Sequence, residues 1–287
     1  GGAGAAPPAG RAGAPGGGGG RRGGPRRAST RRYHRPGLRP PAMTYCVAMA
    51  LDRGLLFASD SRTNAGVDHV STFSKMTVFE TPGERVLVLL NSGNLATTQA
   101  VVSTLRKSVG TDAPNLMSAP SLFDCAALLG GVVSEVISYH GSRQPQQASV
   151  DFSCNFLVGG QIAGERPRLF LVYPEGNFIE ATEDTPFFQI GESKYGKPII
   201  DRVVRPDTSI DEALKCALVS FDSTMRSNLS VGLPLDVAIV GRDALRVTFR
   251  HRVDAQDAYF ASIRQGWSQG LKKVFNELPG PDWLRLG

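Results

Sequence analysis

The first residues able to do chemistry are Met43-Thr44, placed just before the apolar run Tyr45–Leu51. If Met43 is the initiator, aminopeptidase is expected to remove it ahead of so small a residue, which would leave Thr44 as a free N-terminus. A threonine hydroxyl is a weak nucleophile until a base takes its proton. An N-terminal threonine carries such a base itself, because an α-amino group has a pKa of about 7.7–8.0 and is part neutral at working pH. The pattern therefore points to attack of a hydroxyl on a carbonyl. The bland alternative is a threonine that merely precedes a strand.

Two charged residues stand where strands are expected. Ser59-Asp60-Ser61-Arg62 closes an apolar run, the usual make-up of a strand end meeting a loop. Phe73-Ser74-Lys75-Met76-Thr77-Val78-Phe79 sets a lysine among apolar neighbours, with strand alternation placing it on the face of Phe73 and Phe79. A buried ammonium needs a partner, and Asp60 is the candidate. On physical grounds alone a structural ion pair and a catalytic pair are equally good readings. Gly93, in Asn91-Ser92-Gly93-Asn94, ends a strand before a helix and has a plain turn role available.

These residues need a framework, and the patterning supplies one. Tyr45–Leu51, a turn at Asp52-Arg53-Gly54 and Leu55–Ser59 make a hairpin. Lys75–Glu80, the turn Thr81-Pro82-Gly83-Glu84 and Arg85–Leu90 make a second. Their runs are apolar on both faces, as in sheets covered on both sides. Helices are expected over 95–108 behind the N-cap Asn94, over 121–140 with Ser121 and Asp124 at its start, and over 194–204. A further helix over 209–226 opens on the capping box Ser209 and Glu212. Strands are expected near 153–162, 168–173, Phe187–Ile190, Leu235–Val240 and Leu245–Arg250. A last helix, about 257–276, repeats Phe260, Ile263, Trp267, Leu271 and Phe275 as one apolar stripe, suited first to core packing. The order implies an α+β fold, two sheets with helices outside, a four-layer α-β-β-α sandwich.

Charge divides the chain. The 287 residues carry a net charge of +6, but residues 1–42 hold nine arginines and no acid, so the remainder is mildly acidic. The same 42 residues include 13 glycines and 7 prolines and cannot bury enough apolar surface to offset ordering. Residues 1–43 are therefore expected to be a disordered extension absent from the mature protein: upstream reading frame, a propeptide or an arginine-rich contact tail. Residues 44–287 form the folded domain. Nothing in the body suggests a nucleic-acid-binding face, and no apolar run reaches the roughly 18–20 residues of a membrane span. Four cysteines and four histidines are scattered without metal-ligand spacing. They suit a protein of the cytoplasm with reduced thiols and no cofactor or metal.

Taken together, Thr44, Asp60 and Lys75, in this order and spacing, resemble the threonine-aspartate-lysine constellation of proteasome β-type subunits. The resemblance covers roughly residues 44–250. Asp60-Ser61-Arg62-Thr63-Asn64-Ala65-Gly66-Val67-Asp68 and Ser92-Gly93-Asn94-Leu95-Ala96-Thr97-Thr98-Gln99 look closest to Anbu, the bacterial ancestral-β-subunit branch. The resemblance implies the fold of N-terminal-nucleophile hydrolases, with Thr44 as nucleophile, Lys75 beside it, Asp60 orienting Lys75 and the Gly93 N–H as oxyanion donor. It also implies a bacterial cytoplasmic peptidase or amidase that assembles into rings or a spiral and acts on peptide or protein substrates. An unfoldase partner is left open. Arg62, Glu192, Ser193, Ser227 and Ser230 are auxiliary candidates. The family's Gly-Ser-Gly turn here reads Gly191-Glu192-Ser193. Ser230 stands for the family's serine after the fourth helix, and Ser227 falls where an acid is expected. The rival reading is an assembly scaffold with weak or no hydrolysis.

Overall fold

In the computed structural model, residues 44–64, 70–142 and 150–284 are described. They form one compact unit. The expected extension over residues 1–43, including the Met43 junction, lies outside the described residues.

The chain opens with β1 (Tyr45–Leu51) and β2 (Gly54–Asp60), then a short ribbon of β3 (Arg62–Asn64) and β4 (Val70–Thr72). β5 (Met76–Thr81) and β6 (Arg85–Gly93) lead into α1 (Leu95–Ser108) and α2 (Leu122–Ser142). β7 (Cys154–Ile162), β8 (Arg168–Val172), β9 (Phe178–Glu180) and β10 (Phe187–Gly191) follow. Then come α3 (Lys197–Val203), α4 (Ile210–Ser227), β11 (Leu235–Gly241), β12 (Phe249–Val253) and α5 (Ala258–Glu277). One five-stranded antiparallel sheet runs β10-β1-β2-β11-β12, the other β5-β6-β7-β8-β9.

Three apolar cores separate four layers. Odd residues of β1, Tyr45, Val47 and Met49, face Ala213, Ala217 and Phe221 of α4. Even residues Cys46 and Ala48 face the second sheet, with Leu55 and Phe57 of β2 and Val86, Val88 and Leu90 of β6. Leu87 and Leu89 of β6 point the other way, onto α1 and α2. Strands with both faces covered read as unbroken apolar runs, and each fully buried side chain contributes about 1.5–3 kcal/mol. The α-β-β-α sandwich expected from the sequence is the fold found. α2 is the one described helix long and apolar enough to cross a membrane. In this fold its Leu122, Cys125, Ala126, Leu129 and Val133 pack into the outer core.

The caps hold as expected. Asn94 accepts from Thr97 N, and Ser209 and Glu212 form a complete capping box. Other expectations need correction. The strand expected over Leu245–Arg250 lies at Phe249–Val253, because Asp243 and Leu245 take left-handed backbone (φ 61° and 48°) and prolong the turn after β11. α3 begins only at Lys197, where Pro198 can occupy the first turn. β3, β4 and β9 were not foreseen; three residues give no periodicity to detect. Lys75 precedes β5 and does not sit within it, and Phe73 is 36% exposed and shares no buried face with Phe79. On α5 only the first part of the stripe joins the core, at Phe260 and Ile263; Leu271 and Phe275 are exposed.

Candidate active site

Thr44 lies at the start of β1, and its carbonyl accepts from Glu192 N at 2.7 Å. Thr44 lines a cleft of about 700 Å³. One face of α1, from Leu95 to Arg106, and the segment Phe73–Thr77 form the walls, and Gly93 lies beside them. Two glycines let the backbone pack closely at the site, Gly191 against Thr44 and Gly93 against Ser153. Gly191 has φ 82°, and a Cβ there would fall 2.0 Å from the Thr44 carbonyl oxygen. Gly93 has φ 107°, and a Cβ there would fall 2.4 Å from the Ser153 carbonyl oxygen. Only glycine tolerates both the dihedral and the approach.

Asp60, the last residue of β2, is fully buried, and Lys75 is 5% exposed. Lys75 Nζ donates to Asp60 Oδ1 at 2.7 Å and to the Arg62 carbonyl at 2.8 Å. Tyr45 N donates to the same Asp60 oxygen at 3.0 Å. Asp60 thus links Lys75 to the residue that follows Thr44. Burial is the largest influence on Asp60 and pushes its carboxyl above the ordinary carboxylate range. The Lys75 ammonium and the Tyr45 N–H pull the other way. Cys46, buried on the next position of β1, donates to the Asn91 carbonyl, and burial drives its thiol far up, so it is inert.

A second group closes the other side. The Glu192 carboxylate is buried, takes a hydrogen bond from Asn228 Nδ2 at 2.9 Å and lies 3.5 Å from Lys194 Nζ. Asn228 Oδ1 accepts from Ser230 N at 3.0 Å and Ser230 Oγ at 2.5 Å. Arg62 pins the same loop by donating to the Leu229 carbonyl at 2.8 Å. Among the auxiliary candidates, Glu192 and Ser230 therefore meet through Asn228. Arg62 contributes its carbonyl to Lys75 and its guanidinium to the loop. Ser193 contributes only backbone hydrogen bonds, and Ser227 points away as an exposed residue at the end of α4. Asn228 carries no functional signal in the sequence: nothing local indicates that it reaches a carboxylate 36 residues away.

No group of three His, Cys, Asp or Glu among the described residues could hold a metal ion. The constellation comprises a threonine at a cleft, a buried lysine-aspartate pair beside it and a strand-ending glycine. Residues 43–240 match the proteasome family, described as proteasome subunit.

The chain belongs to the proteasome subunit family.

The branch suggested by its residue runs is also the branch of its structural neighbours. Anbu from Yersinia bercovieri is 56% identical, with a TM-score of 0.78, over 85% of this chain and 100% of that one. The helical assembly of the Anbu complex from Pseudomonas aeruginosa is 53% identical, with a TM-score of 0.79, over 84% of this chain and 99% of that one. Proteasome subunit beta 2 of Pyrobaculum aerophilum is 26% identical over 194 residues, 67% of this chain and 86% of that protein.

Proposed function

We propose that this Anbu-branch subunit is a threonine-type peptidase or amidase whose mature chain begins at Thr44. The Thr44 hydroxyl attacks a carbonyl while its own amine takes the proton. Lys75, held by Asp60, keeps a positive charge near the nucleophile, which lowers the amine's pKa and stabilises developing negative charge. The Gly93 N–H receives the oxyanion, a contribution worth about 10²–10³ in rate per donor. The observation that carries the reading is the buried Asp60–Lys75 pair set beside Thr44 at the cleft. An intact-mass measurement of purified protein tests the N-terminus. A peptide epoxyketone tests the chemistry, because it needs hydroxyl and amine on adjacent carbons. An adduct on Thr44, absent in Thr44→Ala, supports the reading; active protein that retains residues 1–42 refutes it.

A second reading, an assembly scaffold with weak hydrolysis, is favoured by one observation. The carboxylate near Thr44 on the far side is Glu192, anchored by Asn228, and it replaces a serine of the family pattern. No Thr44 adduct after long incubation, in protein shown to start at Thr44, selects the scaffold.

In either case the body self-associates into a ring or spiral in the bacterial cytoplasm. The similarity to an Anbu chain solved as a helical assembly supports this, and so does the exposed apolar second half of α5. Sedimentation of a chain starting at Met43 checks it: a monomer at micromolar concentration would refute it.

A further inference from the structure

Asp222 is as deeply buried as Asp60, and the chemistry at Thr44 leaves it unused. It sits on α4 beside Phe221 of the apolar core. Its two oxygens are held from different elements. Arg264 of α5 donates Nε to Oδ1 at 2.8 Å. Arg226, one turn further along α4, donates Nε to Oδ2 at 2.9 Å. Arg264 itself lies one turn past Phe260, the residue by which α5 enters the core, and stacks over that ring. Asp222 therefore fastens the seat of α5 to the last turn of α4.

That turn leads to the candidate active site. Asn228, the C-cap of α4, donates its N–H to the Thr224 carbonyl at 2.8 Å. Its side chain donates to Glu192 Oε2 at 2.9 Å, and Glu192 N donates to the Thr44 carbonyl at 2.7 Å. The next residue, Leu229, gives its carbonyl to the Arg62 guanidinium, and the Arg62 carbonyl accepts from Lys75 Nζ. The contacts to Thr44 and to Lys75 thus both lead back to the loop after α4. A buried ion pair adds little net stability, because desolvation offsets most of the attraction. The effect of this one is directional: it fixes how α5 and the end of α4 lie against one another.

We propose that Asp222 is a positioning residue: clamped by Arg264, it makes the placement of Thr44 depend on the seating of α5. When α5 shifts, Arg264 draws on Asp222, the last turn of α4 follows, and Asn228 carries the movement to Glu192. The exposed apolar second half of α5 continues the same helix, so a second copy packed there acts on Thr44 through this joint. The kinetic part of the proposal rests on the hydrolase reading above.

The test uses the full chain and a peptide epoxyketone. Arg264→Met removes the clamp while Arg226 still compensates Asp222, so the fold is kept. The covalent step on Thr44 should slow about 5–10-fold, with the initial binding constant within about 2-fold of native, because misplacement hinders attack and not capture. Arg264→Lys restores a charged donor and should bring the rate back to within about 2-fold. A double-mutant cycle separates positioning from mere support of the fold. In the Asn228→Ala background, Arg264→Met should slow labelling no further, whereas independent effects would multiply. Native labelling by Arg264→Met, or full multiplication of the two effects, would overturn the proposal while leaving the hydrolase reading intact. If protein shown to start at Thr44 is not labelled at all, the hydrolase reading falls, and amide hydrogen exchange reads the joint instead. Arg264→Met should then speed exchange over residues 191–194 at least ~10-fold and leave residues 86–90 of β6 unchanged. Native exchange over 191–194 would overturn the proposal.

Discussion

Asp60 and Glu192 both flank the backbone at Thr44 and Tyr45, yet they are held in different ways. Asp60 is fully buried, ends a central strand, and is gripped by an ammonium and a backbone N–H. Glu192 is 7% exposed, follows an edge strand, and is gripped by an amide from a loop, with the largely exposed Lys194 at 3.5 Å. One carboxylate is tied into the core between two sheets; the other is tied to the rim. A buried pair in the core is costly to break and cheap to replace by apolar volume, whereas a rim network is modest in both directions.

The sharpest way to break the comparison is at Lys75. Lys75→Ala leaves Asp60 uncompensated and should cost about 3–5 kcal/mol in chemical unfolding. The double change Asp60→Asn with Lys75→Met keeps an acceptor for Tyr45 N and removes both charges. It should unfold within about 1 kcal/mol of the native protein while failing to form the Thr44 adduct. A Lys75→Ala protein with native stability and native labelling would place Asp60 on the same footing as Glu192.

Gly93→Ala comes next. Its Cβ meets the Ser153 oxygen in a backbone conformation that alanine adopts only under strain. The expected cost is about 2–3 kcal/mol, with slower Thr44 labelling because the N–H moves with the strand end. Unchanged labelling would remove Gly93 from the oxyanion role.

Asn228→Ala probes the rim. It leaves one oxygen of a buried carboxylate without its donor and should cost about 1–2 kcal/mol. Asn228→Asp should cost more, since it sets a second anion against Glu192. If Asn228→Ala matches Lys75→Ala in cost, the rim is as tightly built as the core.

What the sequence made legible follows the same divide. Asp60 and Lys75 belong to segments of strong apolar pattern, so their burial and pairing follow from alternation and the need to compensate charge. The capping box at Ser209 and Glu212 is equally local. Glu192 and Asn228 meet only because β10 and the loop after α4 converge on Thr44, and neither segment carries a periodic signal. Family position points to Ser227, but Asn228 is the residue turned inward. The same reason explains the misplaced β12. A left-handed residue at Leu245 looks, in the sequence, like one more apolar strand position.

The smallest effect tests whether burial sets the sense in which a carboxylate titrates. Glu180, on β9, is a third held carboxylate, far less buried than Asp60. Arg168 grips it with two donors at 2.6 and 2.8 Å, and Arg166 adds a third at 3.0 Å. The Arg168 hydrogen bonds hold its carboxyl below the ordinary value, against a smaller opposing effect of burial. Asp60 shifts upward because the ranking is reversed and burial leads. For Glu180 the folded pKa lies below the unfolded one, about 4.3. Its contribution is therefore complete above that pH and is lost as pH falls through the folded value. A partly exposed pair is worth about 0.2–1 kcal/mol. Glu180→Gln should thus unfold at slightly lower urea than the native protein near pH 7, and the gap should close as pH falls below the unfolded value and through the lower folded one, where the native carboxylate also loses its charge. A gap that widens toward acid would mean that Glu180 shifts upward like Asp60, and burial would then outweigh the arginine fork even at a partly exposed strand edge.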